Sequence, residues 1–243
     1  MDLVDALDAD GAVTCVVGAG GKKSTLYALA DRLDRAIVTA TVRIPPFAER
    51  VADVRVTESP VRAVDSVEEW PVGLVRERER SDRYFGYDPA VIDELAAAVD
   101  DDVSVLVKAD GARTRWFKAP GEREPQLPTA ADVVVPIASV RVVGKALTDE
   151  HVHRLERVGA LTGLAPGDRI SAADVATVLA SDRGGWKGIP ADATVVPLVN
   201  MVDSPELERT AREIATGILD RRDVARIVLA RMIDDRPVVD VVR

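Results

Sequence analysis

Sulfur and imidazole are nearly missing from this chain: Cys15 is its one cysteine, and His151 and His153 are its two histidines. A lone cysteine excludes an intrachain disulfide and any multi-cysteine zinc site. Its place inside an apolar run predicts a buried structural thiol. Histidines two residues apart diverge on a helix and do not form the i, i+4 pair that shares a metal. No apolar run approaches the ~20 residues of a membrane span. The N-terminal M-D-L-V-D-A-L-D is acidic where a secretory signal is basic, so a cytoplasmic protein without membrane contact is expected. Positive charge is in deficit too: 32 Lys and Arg face 41 Asp and Glu, for a formal net charge of -9. That balance argues against a nucleic-acid surface. It fits a halophilic source, whose surface carboxylates hold water in strong salt, and equally an ordinary acidic protein.

What is present is enough apolar residue for a full core. A chain of 243 residues with 47% hydrophobic content suits one large α/β domain. Short apolar, β-branched runs at 12–17, 36–41, 103–107, 132–137, 194–199 and 225–230 alternate with helical periodicity at 24–33, 89–99, 149–161, 172–180 and 205–219. Strands apolar on both faces and separated by helices predict a mostly parallel sheet flanked by helices, with 237–242 as an edge strand. Residues 43–87 and 140–188 interrupt the alternation and read as insertions in a single domain over 1–243.

The stretch V-T-C-V-V-G-A-G-G-K-K-S-T-L, Val13 to Leu26, carries the strongest chemical signal. An apolar strand runs into glycines, lysines and hydroxyls, the pattern of a phosphate-binding loop. Gly18, Gly20 and Gly21 free the backbone to turn N–H groups inward around an anion, with Ala19 between them. The following helix points its positive end at the same place. Either Lys22 or Lys23 reaches the phosphates of ATP or GTP, and the hydroxyl of Ser24 or Thr25 holds Mg²⁺. The consensus G-x-x-x-x-G-K-[ST] fits neither register fully. Gly20-Gly21 directly before the first lysine favours Lys22.

Other residues are expected at the same sheet edge. V-S-V-L-V-K-A-D-G ends a strand in Asp110, placed to hold Mg²⁺ as nucleotide hydrolases do. The proline-rich segment that follows carries Arg113, Arg115, Lys118, Arg123 and Glu124. It reads as a stiff loop over the site, with cations such as Arg113 to steady a transferring phosphate. Thr39 and Thr41 end the second strand, where a hydroxyl can sense Mg²⁺ or a γ-phosphate. In V-N-M-V-D, Asn200 and Asp203 follow a strand in the manner of the guanine-reading N-K-x-D, with Met201 in the lysine's place.

Taken in order, G-A-G-G-K, the threonines after the second strand, A-D-G-A-R with K-A-P and E-P-x-x-P, V-x-G-K-x-L with H-V-H-R-x-E, and N-x-V-D resemble the YqeC family. Its members are described as accessory proteins of selenium-dependent molybdenum hydroxylases, or as selenium cofactor biosynthesis proteins. The resemblance runs from about Val13 to Asp203. It implies a P-loop NTPase-like α/β fold, a bound nucleoside triphosphate and a molybdenum hydroxylase as client. It marks Gly18, Gly20, Gly21, Lys22, Thr39, Thr41, Asp110, Lys118, Glu124, Gly144, Lys145, Arg154, Asn200 and Asp203. The chain departs from it at Lys23, Ala40, Lys108 and Met201, and Lys108 is expected to stand beside Asp110 and compete with Mg²⁺. A short loop of the G-x-x-G-K-T type, found in ATP-dependent ligases, and a nucleotide-sensing scaffold are the two other functional expectations.

Overall fold

The computed structural model describes residues 1–243. Its strands are, in chain order, β1 (Val13–Gly18), β2 (Ala36–Ala40), β3 (Asp53–Val56), β4 (Val72–Val75), β5 (Glu77–Arg80), β6 (Arg83–Phe85), β7 (Ser104–Lys108), β8 (Phe117–Lys118), β9 (Val133–Ser139), β10 (Val152–His153), β11 (Thr194–Val195), β12 (Leu198–Asn200), β13 (Ile227–Ala230) and β14 (Val238–Val242). The helices are α1 (Leu3–Leu7), α2 (Lys22–Ala30), α3 (Pro60–Val64), α4 (Pro89–Ala98), α5 (Leu155–Thr162), α6 (Ala172–Leu179) and α7 (Pro205–Leu219).

Ten strands form one sheet in the order β14-β13-β12-β9-β1-β7-β2-β4-β3, with β11 also on β9. Every pairing in it is parallel except β13 with β14. The fold is therefore the expected α/β, P-loop NTPase-like arrangement: a mostly parallel sheet flanked by helices. Alternation along each strand decides what each face meets. Val16, Leu106 and Val135 pack under Leu26 and Leu29 of α2 and Leu3 and Leu7 of α1. Their neighbours Cys15, Val105 and Val134 face Ile92 and Leu95 of α4. Further along that second face, Ala138, Val199 and Leu229 meet α6 and α7. Cys15 is fully buried, and burial pushes its thiol pKa up, as an inert core residue requires.

Two predicted elements differ. The run 194–199 is split into β11 and β12, because Pro197 has no N–H for the ladder and lies opposite Pro136 of β9 by register. The predicted helix 149–161 begins only at Leu155. Arg154 sits at φ 62°, outside helical space, and the residues before it pair as β10 with β8 while His151 stacks on Trp116 at 4.8 Å between ring centroids. Residues 43–87 supply β3 and β4 to the sheet edge and the β5–β6 hairpin. No helix is long and apolar enough to cross a membrane.

Candidate functional site

Parallel strands aim their C-terminal ends one way, and β1, β7, β9 and β12 bring four loops to that edge, where open α/β sheets bind ligands. After β1 the chain turns through Gly20 at φ 88° and Gly21 at φ 142° into α2. Side chains are excluded there: a Cβ on Gly20 would stand 2.6 Å from the Ser139 nitrogen, and one on Gly21 would overlap the Asn200 amide. Gly21 caps α2 without a side-chain hydrogen bond. The N–H groups of Gly20, Gly21, Lys23 and Ser24 consequently have no partner within the protein. Such donors at a helix start are able to hold an anion.

Every buried charged side chain of the molecule lies around this loop: Lys22, Lys108, Lys118 and Asp110, each at most 7% exposed. Asp110 is the hub. Its Oδ2 accepts from the Gly18 N–H at 2.9 Å and faces Lys118 Nζ at 2.9 Å, while Lys22 Nζ lies 2.7 Å from Oδ1. The Lys22 approach is close but off the hydrogen-bonding direction, so Oδ1 has no donor aimed at it. Burial pushes the Asp110 carboxyl up, and the two lysines more than reverse this, holding it ionised below the usual carboxylate range. Lys22 also donates to the Gly18 carbonyl. Burial lowers its pKa, with Asp110 offsetting part of the effect.

The loop after Asp110 closes over this hub. Lys118 donates to the Gly111 carbonyl at 2.6 Å and to Glu124 Oε2 at 2.7 Å, and Arg154 pairs with the same oxygen. Burial raises the Glu124 pKa, but Arg154 and Lys118 win and bring it to about 2. Lys187 donates to the carbonyls of Gly121, Glu122 and Glu124. The space left between Gly18, Asp110, Lys118, Pro120 and Pro125 is only about 20 Å³, room for one water. That space is too small for a triphosphate.

Three buried lysines against one buried aspartate leave a cationic surplus, with Glu124 and Arg154 cancelling at the margin. Burying unpaired charge is costly, and an anion placed here would offset it. Its fit to Mg²⁺ is narrower. No three His, Cys, Asp or Glu residues gather anywhere to hold an ion. Asp110 Oδ1 is the one buried carboxylate oxygen without a donor, so a metal would take most of its ligands from phosphate and water, as Mg²⁺ commonly does.

The other sequence candidates are placed as follows. Thr25 is buried and its hydroxyl donates to the Gly21 carbonyl at 3.1 Å, whereas Ser24 is half-buried with its hydroxyl unbonded. Thr39 donates to the Leu74 carbonyl at 2.8 Å, away from the hub; Thr41 donates to the Gln126 carbonyl at 2.6 Å and ties β2 to the covering loop. Arg113 is exposed at φ 47° and makes no ion pair. Asn200 is buried against the loop, donating to the Gly20 carbonyl at 2.8 Å and accepting from the Met232 N–H at 3.2 Å. Asp203 pairs with Arg141 at the surface. Lys108 was expected beside the Asp110 carboxylate, yet its ammonium donates to the main-chain carbonyls of Asp110 and Arg43 at 2.7 and 2.9 Å. Burial, with Lys22, lowers its pKa to about 7. The cation that does touch that carboxylate from the loop is Lys118. The sequence placed Lys118 in the loop over the site, but its pairing with Asp110 is a contact between residues of the strand end and the folded-back loop that spacing does not show.

A protein-family model described as "YqeC protein" matches residues 14–156. A relative from Escherichia coli (strain K12), printed as "Uncharacterized protein YqeC", is 28% identical over 225 residues, covering 89% of this chain and 86% of its own length.

Proposed function

The chain belongs to the YqeC family, and from its buried lysine hub we propose that it binds the phosphates of a nucleoside triphosphate, ATP or GTP, together with Mg²⁺. One observation carries the reading: all the molecule's buried charges surround four unpartnered N–H groups at the start of α2, with cations in excess. In this reading Lys22 leaves Asp110 for the phosphates, the loop N–H groups take the anion's oxygens, and Asp110 Oδ1 with the Ser24 hydroxyl holds the metal. Mg²⁺, when bound, supplies charge neutralisation at the phosphates. The residues themselves contribute positioning and electrostatic stabilisation, which is most of what phosphoryl chemistry asks of a protein.

The biological role we propose is assistance to the maturation of a selenium-dependent molybdenum hydroxylase or its cofactor. The ordered motif series supports it, and loss of hydroxylase activity in a strain lacking this chain tests it. Calorimetric titration with ATP and GTP, with and without Mg²⁺, tests the nucleotide reading. Binding that needs Mg²⁺ and is weakened at least tenfold in Lys22→Ala is expected; absence of binding to the wild type would sink the proposal. The closed hub, with a lysine at each oxygen of Asp110, favours a second reading, nucleotide sensing without turnover. Binding with no phosphate release would select it.

A further inference from the structure

Asn200 has the appearance of a base reader in the sequence, but its contacts run the other way. The residue ends β12, where it stands in register with Ser139 of β9, and it is 3% exposed. Nδ2 donates to the Gly20 carbonyl and Oδ1 accepts from the Met232 N–H just past β13. Both ends of the amide are therefore engaged within the fold. In a trans peptide the C=O and the next N–H point in opposite directions. Holding the Gly20 oxygen toward Asn200 thus fixes the Gly21 N–H toward the far side, where it has no partner in the protein. Two glycines in succession have little intrinsic preference for that peptide orientation, so an outside tether has to supply it. The contact surface is close enough to forbid any side chain at Gly21.

We infer that Asn200 is a positioning residue for the phosphate cradle, setting the Gly20–Gly21 peptide so that its N–H faces the anion, and that it does not read the base. The inference rests on the phosphate-binding reading above. It makes the sheet strand β12 a structural part of the loop that follows β1, and it leaves any contact with a base to residues other than Asn200.

The test uses inorganic tripolyphosphate, which has no base, beside ATP and GTP, all with Mg²⁺. Asn200→Asp preserves the shape and the acceptor for Met232 but replaces the donor facing Gly20 with an oxygen. Asn200→Ala removes both contacts, and it carries the test if the aspartate variant does not fold. Affinities are measured on protein shown by its urea midpoint to be fully folded at the working temperature, because a purely structural role lowers the midpoint and leaves the affinity of folded protein unchanged. The expected result is a loss of at least tenfold that is the same for tripolyphosphate, ATP and GTP. A loss confined to GTP would overturn the inference and restore the base-reading role, and unchanged affinities would overturn it too. Wild type that binds ATP but not tripolyphosphate would place the affinity outside the cradle. Wild type that binds none of the three would end the phosphate reading itself, and the inference with it.

Discussion

Two loops at the same sheet edge, G-A-G-G-K after β1 and N-M-V-D after β12, look alike in sequence as nucleotide contacts, and they differ in where their polar groups point. The first leaves its N–H groups without partners. The second has its asparagine engaged at both ends of the amide and its aspartate paired with Arg141. The difference shows that a residue type at a strand end does not distinguish a ligand contact from a brace for the neighbouring loop; only the account of donors and acceptors does.

The change expected to break this contrast most severely is Gly21→Ala. A Cβ at φ 142° against Asn200 strains both loops together. We expect nucleotide binding to vanish and stability to fall by about 1–3 kcal/mol, read by calorimetry and urea unfolding. Lys22→Ala acts on the cradle alone. Loss of a charge-assisted hydrogen bond of about 1.5–3 kcal/mol weakens triphosphate binding roughly 10- to 150-fold, with the N-M-V-D turn unaffected by amide NMR.

How far these loops were legible follows from where their interactions lie in the chain. The first loop is local: an apolar strand, glycines and a lysine within ten residues of one another, which is why β1 and α2 could be read directly. The brace is not, since Asn200 meets a carbonyl 180 positions away. The burial of Lys118 was also hidden, because it is neutralised by Asp110 and Glu124 only once the loop folds back. Strands β3 and β4 escaped notice for a different reason: D-V-R-V is half exposed and V-G-L-V is four residues long behind a proline, so neither gives a periodic signal.

A milder perturbation separates the covering loop from both. In Glu124→Gln the partner of Lys118 and Arg154 loses its charge. The folded Glu124 pKa, about 2, lies below the unfolded value of about 4.3, so its contribution is complete above the unfolded value and disappears as pH falls toward 2. The urea midpoints of wild type and variant should differ at pH 7 and converge between pH 4.5 and 2; a constant gap would mean the ion pairs contribute nothing. Smallest of all is Asp203→Ala. A partly exposed pair with Arg141 is worth at most about 1 kcal/mol, and the ratio of GTP to ATP affinity should stay within about twofold. A larger change in that ratio would return the turn to the nucleotide site.

The central claim is that the unpartnered N–H groups at the start of α2 are the phosphate seat. Amide hydrogen exchange of Gly20, Gly21, Lys23 and Ser24, followed by NMR as Mg²⁺ and ATP are added, tests it most directly. The account predicts that these four amides slow together while those of Met201, Val202 and Asp203 keep their rates. Protection centred on the Met201–Asp203 turn, with the four cradle amides unchanged at saturating nucleotide, would contradict it.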